Sequence, residues 1–96
     1  MLELKPNCEN CGKPLPNTSQ EAMICSFECT FCVDCVSHIL HNVCPNCGGG
    51  LEKRPVRPSK LIEKYPASSN TFIQPIDKVK FGEMLAKYKS SKPNER

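Results

Sequence analysis

Between positions 36 and 43 the apolar residues Val36, Ile39, Leu40 and Val43 fall at i, i+3, i+4 and i+7, the spacing of one helix face. A short helix is predicted there, between Cys35 and Cys44, ending before Pro45. Phe27 and Phe31 are the large apolar side chains expected to cover that face. The same spacing returns at Phe81, Met84, Leu85 and Tyr88 behind Asp77, whose carboxylate suits a helix N-cap. It predicts a helix over 77–89, weakened at Gly82 by about 1 kcal/mol relative to alanine. Ser59 is expected to cap a helical turn through Tyr65, giving a second short helix near 60–65. Elsewhere the pattern is broken. Lys13-Pro14-Leu15-Pro16-Asn17 is turn chemistry, Arg54-Pro55-Val56-Arg57-Pro58 reads as an extended linker, and Ser90 to Arg96 reads as a disordered end.

Composition changes the picture by limiting the core. Hydrophobic residues are 39% of the 96 and aromatics 6%, with no tryptophan, so apolar burial alone does little to offset the conformational entropy of folding. A staple is required, and eight cysteines supply candidates. The first ten residues, MLELKPNCEN, lack the basic start, apolar run and cleavage site of a secretory signal. No stretch is long enough to span a bilayer. Both features favour a cytosolic chain with no membrane partner, in which thiols stay reduced and paired cysteines serve as metal ligands rather than disulfides.

Charge divides the chain near residue 50. Residues 1–50 carry two basic and five acidic side chains, a net of −3, while residues 51–96 carry eleven and five, a net of +6. Four thiolates and one divalent metal ion add about −2 per site, so two loaded sites bring the protein to about −1 and the head to about −7. The expected organisation is a two-metal cysteine-rich finger over 1–50 followed by a basic, flexible linker and tail over 51–96.

All eight cysteines form short clips: Cys8-x2-Cys11, Cys25-x3-Cys29, Cys32-x2-Cys35 and Cys44-x2-Cys47. Each clip can present both sulfurs to one ion, so four clips make two tetrahedral sites. Two zinc ions suit them, because zinc accepts four thiolates without redox demands, whereas two iron–sulfur clusters in so short a segment would be crowded. Glycines behind clips, at Gly12 and Gly48, permit tight turns beside a metal. Three pairings are open. Placing Cys25, Cys29, Cys32 and Cys35 on one ion draws four ligands from eleven residues, which is tight. Sequential pairing joins Cys32 and Cys35 to Cys44 and Cys47 across a helix that advances roughly 10 Å, so the chain must double back. Alternating pairing, Cys8, Cys11, Cys32 and Cys35 on one ion and Cys25, Cys29, Cys44 and Cys47 on the other, avoids both difficulties and is preferred.

This spacing resembles a RING-type cross-brace zinc finger, in which first and third ligand pairs share one zinc and second and fourth share the other. Pro45 after the seventh ligand and the helix after Cys35 match that family. Glu9 and Asn10 stand where RING ligases often carry an apolar residue, the helix lacks tryptophan, and Gly48 replaces a frequent basic residue, so the resemblance does not imply ubiquitin-ligase activity. A closer resemblance, carried by Ile24-Cys25-Ser26-Phe27-Glu28-Cys29-Thr30-Phe31-Cys32 and Val43-Cys44-Pro45-Asn46-Cys47-Gly48-Gly49, is to a family of short bacterial cysteine-rich proteins of unknown function, domain of unknown function 1272. It extends over residues 1 to about 75. It implies a bacterial cytosolic protein and transfers no activity.

The fold expected is a small metal-stabilised domain, a RING-like cross-brace finger with one short helix and little sheet. Eight thiolates fill two tetrahedra, so His38 and His41 are expected at the surface. Cys32-Val33-Asp34-Cys35 is read as a structural clip, since the chain is too short for a thioredoxin-like unit. No serine, histidine and carboxylate grouping, paired acids or phosphate loop accompanies the clips, and the chain is not expected to be an enzyme. The function expected is protein–protein interaction or assembly. Nucleic-acid binding through the basic tail, with Tyr65, Phe72 and Tyr88 stacking on bases, is the alternative, and zinc buffering is a more distant one.

Overall fold

The five residues between Ile24 and Thr30 carry two sulfurs and a left-handed turn at Glu28 (φ 66°), and they fold the chain back on itself. In this computed structural model, which describes residues 1–96, that reversal pairs β1 (Ala22–Ile24) antiparallel with β2 (Thr30–Cys32), Met23 opposite Phe31. A third strand, β3 (Glu52–Lys53), adds antiparallel to the other edge of β1, giving the order β2-β1-β3. The sheet is small, and its last strand comes from beyond the triple glycine.

Directly after β2 the chain enters α1 (Val33–Cys35), which continues as a π-type turn over Val36–Leu40. His41 (φ 49°) and Asn42 (φ 61°) are both left-handed and end it. Helix therefore starts two residues before Cys35 ends its clip, earlier than the apolar spacing suggested. The wider turn also changes the buried face: Val36, Leu40 and Val43 are buried, but Ile39 is rotated outward and 43% exposed. Phe31 is buried beneath the helix region, whereas Phe27 is 74% exposed and covers nothing. Its backbone N–H donates to the Cys25 sulfur (3.3 Å), so the geometry of the clip, not apolar burial, sets its direction.

Fourteen buried residues form one core cluster, built from Leu15, Ala22, Phe31, Val36, Leu40, Val43, Leu51, Phe81 and six cysteines. Arg54 is buried as well. Its guanidinium donates to the carbonyls of Lys5, Leu15 and Pro16, each at 2.9 Å, and so ties the N-terminal segment and the proline turn to the end of β3. Burial lowers its pKa, and the three carbonyl acceptors take the place of water around it. The extended segment that follows is anchored again at Arg57, whose N–H and C=O exchange hydrogen bonds with the Asn17 side chain, both 2.8 Å.

In the tail, α2 (Ser59–Ile62) is one turn with Pro58 in the N-cap position, so Ser59 starts the helix instead of capping it. α3 (Lys78–Tyr88) has Asp77 at its N-cap, accepting from the N–H groups of Val79 and Lys80. Phe81 enters the core, and Met84, Leu85 and Tyr88 pack partly against it. The segment expected to be flexible is laid along the head. Residues 90–96 also carry structure, a 3-10 turn at Pro93–Glu95, and Arg96 Nη1 donates to the carbonyls of Asn42 (2.8 Å) and Gly48 (3.2 Å). No helix is long and apolar enough to cross a membrane.

Candidate metal centre

The first clip is a tight loop closed by backbone bonds from Cys8 N–H to the Lys13 carbonyl and from Gly12 N–H to the Cys8 carbonyl, both 2.9 Å. Gly12 adopts φ 78° there, and Gly48 adopts φ 77° at the same place in the last clip, a left-handed geometry that costs other residues about 1–2 kcal/mol. In that last clip the Gly48 N–H donates to the Cys44 carbonyl (2.8 Å). The third clip spans the junction of β2 and α1, and the second is the β1–β2 reversal. The sheet and helix therefore set where each sulfur points.

The sulfurs of Cys8, Cys11, Cys32 and Cys35 all lie within 4.8 Å of one another. Two of the separations are 3.8 Å (Cys8 to Cys35) and 3.7 Å (Cys11 to Cys32). A zinc–sulfur bond of about 2.3 Å makes a tetrahedron whose edge is about 3.8 Å, so this sulfur set fits a four-thiolate zinc site. The second group joins Cys25, Cys44 and Cys47 within the same limit. Cys29, the eighth predicted ligand, is not within that limit of all three, and its sulfur is tied to the last clip by the Asn46 side chain, whose Nδ2 donates to it (3.3 Å). The clips thus alternate between two groups in the cross-brace manner. None of the eight cysteines is in a disulfide; six are buried, Cys47 is half-buried and Cys11 is exposed. His38 and His41 are exposed and outside both groups.

Electrostatics in the two groups follow one plan. In the second, hydrogen bonding from the Cys44 thiol, with further donors from Asn46 and Cys25, holds Cys29 down at about 5. The same bond, followed by burial, pushes Cys44 far up. In the first, burial works to raise Cys8, but backbone N–H donors from Cys11, Cys32 and Asn10 outweigh it and leave the thiol below its ordinary value. Burial pushes Cys32 and Cys35 up. Each group therefore sets a sulfur whose charged form is favoured, Cys8 or Cys29, beside buried thiols whose protons a metal ion would have to displace.

Two site residues were not singled out from the sequence. Asn10 Nδ2 donates to the Cys35 sulfur (3.4 Å) and Asn46 Nδ2 to the Cys29 sulfur (3.3 Å), one amide for each group. Their signal is a repeated spacing: Cys8-Glu9-Asn10-Cys11 and Cys44-Pro45-Asn46-Cys47 both place asparagine just before the second cysteine. Such donors orient thiolate ligands and moderate their charge. Glu9, where RING ligases often have an apolar residue, is buried. Its carboxylate accepts the Thr30 N–H and a Lys5 ammonium bond (3.2 Å), which pins the first clip to the sheet.

A protein family described as "Protein of unknown function (DUF1272)" matches residues 1–57. An uncharacterized protein of Rhizobium meliloti (strain 1021) is 55% identical over 75 residues, covering 78% of this chain and 89% of that protein. No solved structure matches the chain. The matched residues include every cysteine of both groups.

Proposed function

The chain belongs to this family of unknown function, and from that premise we propose that it is a structural zinc module serving protein–protein interaction or assembly. One observation carries the metal assignment: four sulfurs converge at the edge length of a zinc tetrahedron, 3.7 and 3.8 Å, without a disulfide. Cys8, Cys11, Cys32 and Cys35 would hold one zinc ion, and Cys25, Cys29, Cys44 and Cys47 the other. Four thiolates leave zinc no open coordination position, which suits a structural site and not a catalytic one. On this reading the protein is not an enzyme, and its dependence on reduced thiols places it in the cytosol.

Burial of six of the eight cysteines counts against zinc buffering, which needs exchangeable ligands. The nucleic-acid reading has support from Lys78, Lys80, Lys87 and Lys89, all exposed along or beside α3. It loses two of its stacking candidates. Phe72 is half-buried beneath the Lys5 ammonium (5.0 Å), and Tyr88 lies against Gly48. Interaction through protein surfaces is favoured for that reason.

Native mass spectrometry of the reduced, purified protein tests the metal assignment, with two zinc ions per chain expected. One ion or none would overturn it. Titration with short DNA and RNA at low salt tests the rest, with no binding expected. Tight binding that weakens steeply with salt and is lost on deleting 51–96 would replace the interaction reading with the nucleic-acid one.

A further inference from the structure

Residues 72–76 run beside the first clip and bond to it repeatedly. The Asn7 side chain accepts from Phe72 N–H (3.2 Å) and donates to the Phe72 carbonyl (2.7 Å). Gln74 N–H donates to the Glu9 carbonyl (2.7 Å), and Ile76 N–H donates to Asn10 Oδ1 (3.1 Å). Farther on, Tyr88 closes over Gly48 and Arg96 bonds to the Gly48 carbonyl, at the last clip. The tail thus touches one clip from each sulfur group.

Asn10 links two of these interactions within a single amide. Its Nδ2 donates to the Cys35 sulfur while its Oδ1 accepts from Ile76 N–H. A backbone N–H can only donate, so Ile76 fixes which end of the amide faces the tail and hence which end faces the sulfur. Asn46 has the corresponding bond to the Cys29 sulfur but no such bond from the tail. We propose that residues 72–96 are an intramolecular ligand of the metal-bearing head, and that Asn10 couples their docking to metal retention in the first site. Asn10 is a positioning residue: the docked tail orients its amide toward the Cys35 thiolate, and the metal-held clip presents its carbonyl oxygen to the tail. Coupling between two binding events is reciprocal, so the tail strengthens the first site by the factor that metal strengthens tail docking. This inference rests on the zinc reading above.

The test uses the full-length zinc-loaded chain and follows zinc transfer to a chelator together with hydrogen exchange at the Gln74 amide. Ile76→Pro removes the N–H that Asn10 accepts, at a half-buried position outside the head. One of the two zinc ions is expected to leave at least about fivefold faster, the lower end of usual coupling strengths. Asn10→Ala is expected to speed the same ion and to raise Gln74 exchange, and the double variant to be no faster than Asn10→Ala alone. Asn46→Ala should speed the other ion, identify the two kinetic phases, and leave Gln74 exchange unchanged. Unaltered zinc loss in Ile76→Pro, or effects of Ile76→Pro and Asn10→Ala that multiply, would overturn the coupling. If Ile76→Pro does not fold, Asn10→Asp serves: it keeps the acceptor for Ile76 and lacks the donor to Cys35. It should lose zinc faster while Gln74 stays protected, and equal protection with unchanged zinc loss would count against the proposal. A chain with no zinc at the outset would refute the zinc reading itself.

Discussion

The head and the tail of this chain are held by different physics. Of the fifteen buried apolar residues, six are cysteines, and all six lie in the first half of the chain. Beyond Arg54 the one buried side chain is Phe81. The head is organised around sulfur, and on the proposed zinc reading the metal controls its folding. The tail adds few apolar contacts and is positioned by backbone donors, one aromatic anchor and two arginines. It follows that disturbing the metal should dissolve the head and take the tail with it, whereas disturbing the tail should leave the head standing.

The largest effect that separates the two regions is metal removal. Structural zinc in small fingers contributes about 10–16 kcal/mol per site, more than this apolar core supplies, so a strong chelator under reducing conditions should collapse amide dispersion over residues 8–47. Preservation of that dispersion would show that the apolar core suffices. Acid should act in the same direction. Cys32, Cys35 and Cys44 are pushed above the ordinary thiol value and hold their protons at neutral pH, so zinc must displace those protons and its affinity falls as pH falls. Cys29, at about 5, has already lost its proton at pH 7, so the second site should release fewer protons than it has sulfurs. Calorimetry in buffers of different ionisation enthalpy measures that number.

Arg54→Ala tests the seam between the regions. It leaves the carbonyls of Lys5, Leu15 and Pro16 without their donor, which should cost about 3 kcal/mol and lower the melting temperature of the zinc-loaded protein. A change confined to the tail would show that Arg54 belongs to the tail alone. Smaller still is the contrast between two glycines. Gly48→Ala meets a left-handed backbone and a Cβ position 2.7 Å from the Tyr88 ring, so it should cost about 1–2 kcal/mol and speed exchange at the end of α3. Gly82→Ala meets nothing within 4 Å and should strengthen α3 by about 1 kcal/mol with the head unchanged. Hydrogen exchange resolved by residue distinguishes these outcomes.

The sequence makes the cysteine-rich part legible because ligand geometry restricts spacing. Clips two or three residues apart admit few arrangements, and chain reach between them favoured the alternating one, which the sulfur groups display. Apolar spacing was a weaker guide. It marked Val36, Ile39, Leu40 and Val43 as one inward face, but the π-type turn that swings Ile39 outward and the clip that turns Phe27 to solvent are set by the backbone geometry of the cysteine loops, which apolar periodicity does not encode. Arg54 was hidden for another reason. An arginine between a strand and a proline reads as a solvated charge until the three carbonyls around it are known. Asn10 and Asn46 stand at a repeated spacing just before a cysteine, but their role depends on sulfur atoms contributed by other clips.

The alternating sulfur groups are the centre of this account, and cadmium-113 substitution addresses them most directly. Through-bond couplings from each cadmium ion to cysteine β-protons are predicted to group Cys8 and Cys11 with Cys32 and Cys35, and Cys25 and Cys29 with Cys44 and Cys47. Couplings that instead group Cys8 and Cys11 with Cys25 and Cys29 on one ion would contradict the cross-brace arrangement.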